Sequence, residues 1–184
     1  MRLRKLAIEN LNALYGPHEV DFEKDLAGAP VFLVRGPTGA GKSTLLDAVS
    51  LALFGVTPRL TNAKGKPDES PEHIISRGTG RAFACLEFSK VTSEGDQYYR
   101  ATWKGWRGNK KHPAPGGEFQ PPERTLEMRD PVTREWRVLV QSQRGIDFNP
   151  YFESVLEKFR VEDFQRCMLL AQGAFAAFLV AADE

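Results

Sequence analysis

Apolar and polar positions follow two different periods along the chain. Leu6 and Ile8, and then Val20 and Phe22 beside Glu19 and Asp21, keep a period of two, as half-buried strands do. This predicts two strands in an edge ladder, with a turn around Gly16 and Pro17. Residues 31–34, Val-Phe-Leu-Val, are apolar on both faces and predict a central strand covered from either side. Between Leu45 and Phe54 only Asp47 and Ser50 are polar, which predicts a helix that is largely buried.

The pattern changes after Gly55. A polar loop runs to about Gly80, and then residues 81–90, 97–106, 124–130 and 134–140 are rich in aromatic and β-branched residues. They predict an antiparallel meander over about 81–143, with turns at Ser93 to Asp96 and at Asp130-Pro131. Prolines and glycines between 108 and 123 predict a mobile loop. Asn149 before Pro150 predicts a helix start, with Tyr151, Phe152, Val155, Leu156 and Phe159 on one face, and a second helix runs from about Val161 to Leu170.

Composition narrows the function classes. With 184 residues, one domain with a real core is expected. Lys plus Arg number 25 against 24 Asp plus Glu, so no global field draws the chain to nucleic acid or membrane, and any basic surface is local. No apolar run is long enough to span a bilayer and the charged start is unlike a secretory signal, so a cytoplasmic protein is expected. Cys85 and Cys167 lie far apart; they read as buried small hydrophobes rather than a zinc site or a disulfide.

The chemistry concentrates in Gly36-Pro37-Thr38-Gly39-Ala40-Gly41-Lys42-Ser43, which matches the phosphate-loop pattern GxxxxGK[ST] between the predicted strand and helix. Glycines let main-chain N–H groups turn inward around a phosphate. In such loops the lysine, here Lys42, reaches the terminal phosphates and the hydroxyl, here Ser43, binds Mg²⁺. A helix N-terminus alone favours an anion by only about 0.3 to 2 kcal/mol, so amides, cation and metal must act together. Hydrolysis also needs a carboxylate on the metal. Glu87 is one candidate, although its alternating strand is equally consistent with a solvated face. Asp183 and Glu184 are the other, after a run whose alanines favour helix over strand. The expectation is a chain that binds nucleotide and does not complete catalysis alone.

A second candidate surface lies between Gln97 and Gly117. Arg100, Lys104, Arg107, Lys110 and Lys111 occur there without an acidic residue, interleaved with Tyr98, Tyr99, Trp103 and Trp106. Basic side chains on DNA phosphates, with aromatics stacking on unpaired bases, are one reading. A solvated hairpin with half its aromatics turned to the core is the other.

Residues 6–22, 35–60 and 168–179 together resemble the N-terminal ATPase lobe of the SbcC family, SMC-like ATPases with long coiled coils that partner the SbcD nuclease. The resemblance implies an α/β fold, a phosphate-loop NTPase of the ABC/SMC head type, with central parallel strands, an antiparallel meander and C-terminal helices leading into a coiled coil. Residues 173–184 would be the root of that coil. It implies ATP and Mg²⁺ as cofactors. Gln172 would complete the Mg²⁺ shell and sense the γ-phosphate, although a helix-end cap is its other reading; Thr44, Asn12, Ser76 and Arg77 fall where relatives meet the nucleotide. It implies as partners the C-terminal lobe of the same head, which carries the signature motif and the Asp-Glu pair, a second head, an SbcD-type nuclease and DNA. An architectural SMC-like or RecF-like clamp without nuclease would share the same half-site, and a self-contained phosphate-loop kinase would use Asp183 and Glu184.

Overall fold

The computed structural model describes residues 1–26, 33–57, 71–93, 95–157, 159–161 and 163–164. In chain order its elements are β1 (Arg2–Leu11), β2 (Leu14–Asp21), α1 (Phe22–Leu26), α2 (Lys42–Phe54), a 3₁₀ turn (Pro71–Ile74), β3 (Arg81–Thr92), β4 (Gly95–Trp106), β5 (Glu123–Arg129), β6 (Trp136–Ser142) and α3 (Gly145–Leu156). Six strands form one sheet in the order β2-β1-β3-β4-β5-β6, antiparallel at every junction.

Register explains the period of two. Val20, Leu6, Leu86, Ala101, Leu126 and Val140 stand opposite one another, strand by strand, in a single row across all six strands. This row faces the core, where Leu6, Leu86, Ala101 and Leu126 are buried with Ala48, Leu51 and Leu53 of α2 and Phe152 and Val155 of α3. The next row, one residue along, reads Asp21, Lys5, Glu87, Arg100 and Glu127, so charge alternates in sign from strand to strand. Opposite charges directly across a ladder stabilise it, and like charges would not. The helices thus cover one face of the sheet, and ion pairs cover the other.

The meander is as expected, and its core-facing aromatics are deep: Trp103 is 0% exposed and Tyr99 7%. Several local expectations are corrected. The β1–β2 turn falls at Asn12-Ala13, not at Gly16-Pro17. Asparagine tolerates the left-handed region; Asn10 and Asn12 take φ of 55° and 47°, and the Asn10 side chain accepts the Gly16 N–H at 2.9 Å. Pro17 lies on an edge strand, where a missing N–H is harmless. The segment 108–123 is closed by its own main chain: Gly108 donates to Glu118 at 2.7 Å, Ala114 to Arg107 at 3.1 Å and Gln120 to Trp106 at 3.0 Å. Its prolines and glycines shape turns there and do not leave the loop unbonded. α3 begins at Gly145, so Pro150 is inside it. Tyr151 is 46% exposed and faces away from the core. Phe159 lies beyond the helix but packs on Phe54 at 6.0 Å between ring centroids.

The predicted central strand differs most. Leu33 and Val34 belong to no strand, and Leu33 is 79% exposed. An apolar run becomes a covered strand only if a layer lies on each side, and the described residues supply none at Leu33. Val31 and Phe32 fall outside the described residues, and no parallel pair occurs among those described. The helix expected after Val161 is described only at Val161, Asp163 and Phe164. Cys167, Gln172, the coil root over 173–184, Asp183 and Glu184 also lie outside the described residues.

Candidate nucleotide site

The phosphate loop enters α2 as its sequence predicts. Gly36 to Ala40 are exposed, while α2 behind them buries Thr44 and every residue from Asp47 to Leu53. A helix apolar nearly all round is anchored in the core, which holds its first turn rigid at the surface. Gly41 is the cap at φ 85°, without a capping side chain, so no side chain of the cap residue closes the start of the helix. A Cβ on Gly41 would lie 2.7 Å from Leu14 Cδ2 and 2.8 Å from Cγ. Only glycine suits this position, on grounds of both dihedral and space.

That contact also places the β1–β2 turn on the loop. Asn12, two residues before Leu14, donates its N–H to Ile74 at 2.8 Å, and its carbonyl accepts the Ser76 hydroxyl at 2.8 Å. Ser76 in turn donates its N–H to the Asn10 carbonyl at 2.9 Å. Asn12 and Ser76, far apart in sequence, are therefore neighbours at the same end of the sheet as the loop, with the exposed Arg77 following. The Asn12 amide nitrogen is buried and has no acceptor among the described residues, a donor of the kind a bound polar group completes.

Lys42 arches back over the loop. Its Nζ donates to the carbonyls of Gly36 and Pro37, each at 2.8 Å, so its charge is held at the mouth by main-chain dipoles. The Ser43 residue is exposed at the first turn of α2. The residues present fit a magnesium-bound phosphate chain: an exposed glycine loop, a helix start free of a side-chain cap, an ammonium over it and a hydroxyl beside it. Thr38, Gly39 and Ala40 would supply main-chain N–H groups, and Pro37, which has none, would only shape the loop. Lys42 would supply a counter-charge and Ser43 a metal ligand. Thr44 is 3% exposed and contributes to the seat of the helix as well as to the loop's end.

Other candidates fall away from this cradle. Glu87 projects from the sheet face opposite α2 and accepts two hydrogen bonds from Arg100, at 2.8 and 3.1 Å; its strand position gives it to the charged row, not to a metal. Among the basic residues, Arg107 pairs with Glu72 at 3.1 Å and Lys110 with Glu123 at 2.7 Å, and Lys110 also lies over Trp106. Burial would push the Glu123 carboxyl up, but hydrogen bonds from Lys110 and Gln141 hold it below the ordinary range. Lys104 and Lys111 remain exposed. Tyr99, Trp103 and Trp106 are buried, so of the four interleaved aromatics only Tyr98 keeps part of its ring near solvent, and three arginines already flank it. Cys85 is half-buried; burial pushes its thiol up, away from reactivity.

The sequence did not single out Leu14 or Arg124. Leu14 follows the turn that the Gly-Pro signal misplaced. Arg124 shares the inward parity of Leu126 on β5, and that parity is the signal by which a buried arginine could have been found.

Loop, lysine and buried helix define a phosphate-loop ATPase domain. The chain belongs to the AAA domain family, whose model matches residues 5–179. It is similar along its whole length to a Pseudomonas aeruginosa protein named as the C subunit of nuclease SbcCD, with 36% identity over 195 residues covering 100% of this chain and 15% of the relative. Proteins of the same name from Rhodobacter capsulatus and Bacillus subtilis match 97% and 95% of the chain at 34% and 30% identity. The chain spans about one seventh of the length of these relatives, 14% in both. The SbcC resemblance expected from the three motif segments is borne out. No helix among the described residues is long and apolar enough to cross a membrane.

Proposed function

We propose that this chain is the ATP-binding half of an SbcC-type ATPase head, and that it hydrolyses ATP only with a C-terminal lobe supplied by another part of the parent protein. The observation that carries the reading is the open phosphate loop, with Lys42 folded over it, at the head of a buried helix in a chain similar throughout to proteins named for the SbcCD nuclease. Mg²⁺, when bound, neutralises charge on the phosphates and orders the attacking water. Lys42 neutralises the terminal phosphate, Ser43 ligates the metal, and Gln172 completes its shell. Asn12, Ser76 and Arg77 meet the base or sugar, where the Asn12 amide, without an acceptor among the described residues, offers a donor.

The rest of the reading concerns the parent protein. The C-terminal lobe packs on the central parallel strands expected in this chain at 31–34 and covers Leu33, which is exposed among the described residues. It also brings the signature motif and the Asp-Glu pair. Two heads sandwich two nucleotides, residues 173–184 root a coiled coil, and an SbcD-type nuclease cuts DNA ends in repair. Lys104 and Lys111, exposed on the meander, carry the DNA contact; Arg107 and Lys110, expected there too, would add to it only by giving up their pairs with Glu72 and Glu123. If so, Lys104→Ala with Lys111→Ala weakens duplex binding by the assembled head and flattens its salt slope; unchanged binding removes this surface from the reading.

The decisive experiment mixes this chain with the candidate C-terminal lobe. The expected result is Mg-ATP turnover appearing together with dimerisation, and neither in the chain alone. Steady turnover by the chain alone contradicts the reading and favours a self-contained enzyme.

A further inference from the structure

Arg124 points inward from β5 and is 4% exposed. A buried arginine ordinarily meets a carboxylate; among the described residues none meets this one. Its Nη2 donates instead to the Leu53 carbonyl at 2.6 Å, with a longer contact of 3.4 Å to Ala52. Its guanidinium lies over the rings of Phe152, at 3.8 Å, and Phe148, at 4.7 Å, and its Nε has no acceptor among the described residues. Burial alone drags its pKa down to about 9. An unpaired buried charge is costly, and a well-packed apolar side chain would serve stability as well or better. Stability therefore does not account for this residue.

Its position does. Ala52 and Leu53 lie in the last turn of the helix whose first residue is Lys42 and whose last is Phe54. A cation there also complements the negative end of the helix dipole. Gly55 closes the helix at φ 76°, donating to Leu51 at 2.9 Å. A Cβ on Gly55 would come within 3.2 Å of Arg124 Cδ, so the guanidinium lies flush against the cap. The apolar face of α2 packs through Ala48, Val49, Leu51, Ala52 and Leu53, beside the buried polar residues Thr44, Asp47 and Ser50. These apolar contacts are non-directional and constrain the distance from the sheet better than the position along the helix axis. Directional bonds at one end of a rod about 20 Å long constrain the other end.

We propose that Arg124 is a positioning residue for nucleotide binding. Hydrogen-bonded to the end of α2 and stacked on α3, it fixes the axial position of α2, hence of Lys42 and Ser43 at the far end, and ties both to α3. The proposal rests on the nucleotide reading of the loop.

The test uses the full-length protein carrying Arg124→Met or Arg124→Lys, with Val155→Ala as a control. The control thins the packing of α3 without removing a hydrogen bond to α2. Mg-ATP affinity is measured by calorimetry and stability by the melting temperature without nucleotide. Arg124→Met is expected to weaken Mg-ATP binding by at least about fivefold, more than Val155→Ala does for the same change in melting temperature. Arg124→Lys should fall between, because a compact ammonium cannot both stack on the rings and span the carbonyls. If the methionine variant does not fold, the lysine variant is judged by the same comparison. Affinity equal to wild type, or a loss no greater than the control's at matched stability, overturns the proposal. Wild-type protein that fails to bind Mg-ATP would remove the nucleotide reading itself.

Discussion

The charged row across the sheet and the phosphate loop use the same kinds of residue in opposite ways. In the row, Arg100 lies between Glu87 at 2.8 Å and Glu127 at 3.7 Å, and Lys5 pairs with Glu19 at 2.9 Å. Each cation there is answered by a carboxylate of the same sheet. At the loop, among the described residues, Lys42 holds two main-chain carbonyls and no carboxylate, and the glycine backbone around it stays exposed. A cation satisfied by carboxylates has little left to offer a ligand. A cation held by carbonyl dipoles can exchange them for phosphate oxygens at small loss, and this is the difference that the proposed nucleotide site rests on.

Three changes test that contrast, in falling order of effect. Gly41→Val meets both the Leu14 side chain and a φ of 85°. It should destabilise the chain by about 2 to 4 kcal/mol and abolish Mg-ATP binding, read by thermal unfolding and titration; adding Leu14→Ala should restore part of the stability, since only the clash is relieved. Arg100→Ala removes two partly exposed ion pairs and the stack on Trp136. It should cost about 1 kcal/mol and leave nucleotide affinity unchanged, which a paired titration and melt would check. The smallest effect concerns Asp130, whose carboxylate accepts the N–H groups of Thr133 and Val132 and is thereby held below its ordinary pKa of 3.8. A depressed carboxyl stabilises the fold above its unfolded pKa and loses that contribution as pH falls through the folded value. Acidification below about pH 4 should thus shift the Val132 and Thr133 amide resonances while those of the loop stay fixed.

The sheet was legible in the sequence because its alternation is carried by side chains that must choose a face: Leu6, Leu86 and Leu126 one way, Lys5, Glu87 and Glu127 the other. The phosphate loop was legible because its motif carries Gly39 and Gly41, which take φ of 84° and 85° where other residues are strained. The β1–β2 turn was not. Gly16 and Pro17 are strong turn signals, but left-handed Asn10 and Asn12 close the turn earlier and the Pro fits an edge strand. The strand expected at 31–34 differs at Leu33 for another reason: its apolar pattern implies cover that the described residues do not provide there. Arg124 was missed because composition counts its charge without its direction, and only the register of β5 shows that it points inward.

The central claim is that Lys42, above an open glycine loop, holds the phosphates of Mg-ATP. Calorimetric titration of Mg-ATP into the wild-type chain and into Lys42→Ala tests it most directly. Saturable binding by the former, at least about a hundredfold weaker in the latter with an unchanged far-ultraviolet spectrum, is the predicted result. Equal affinity in the two would contradict it.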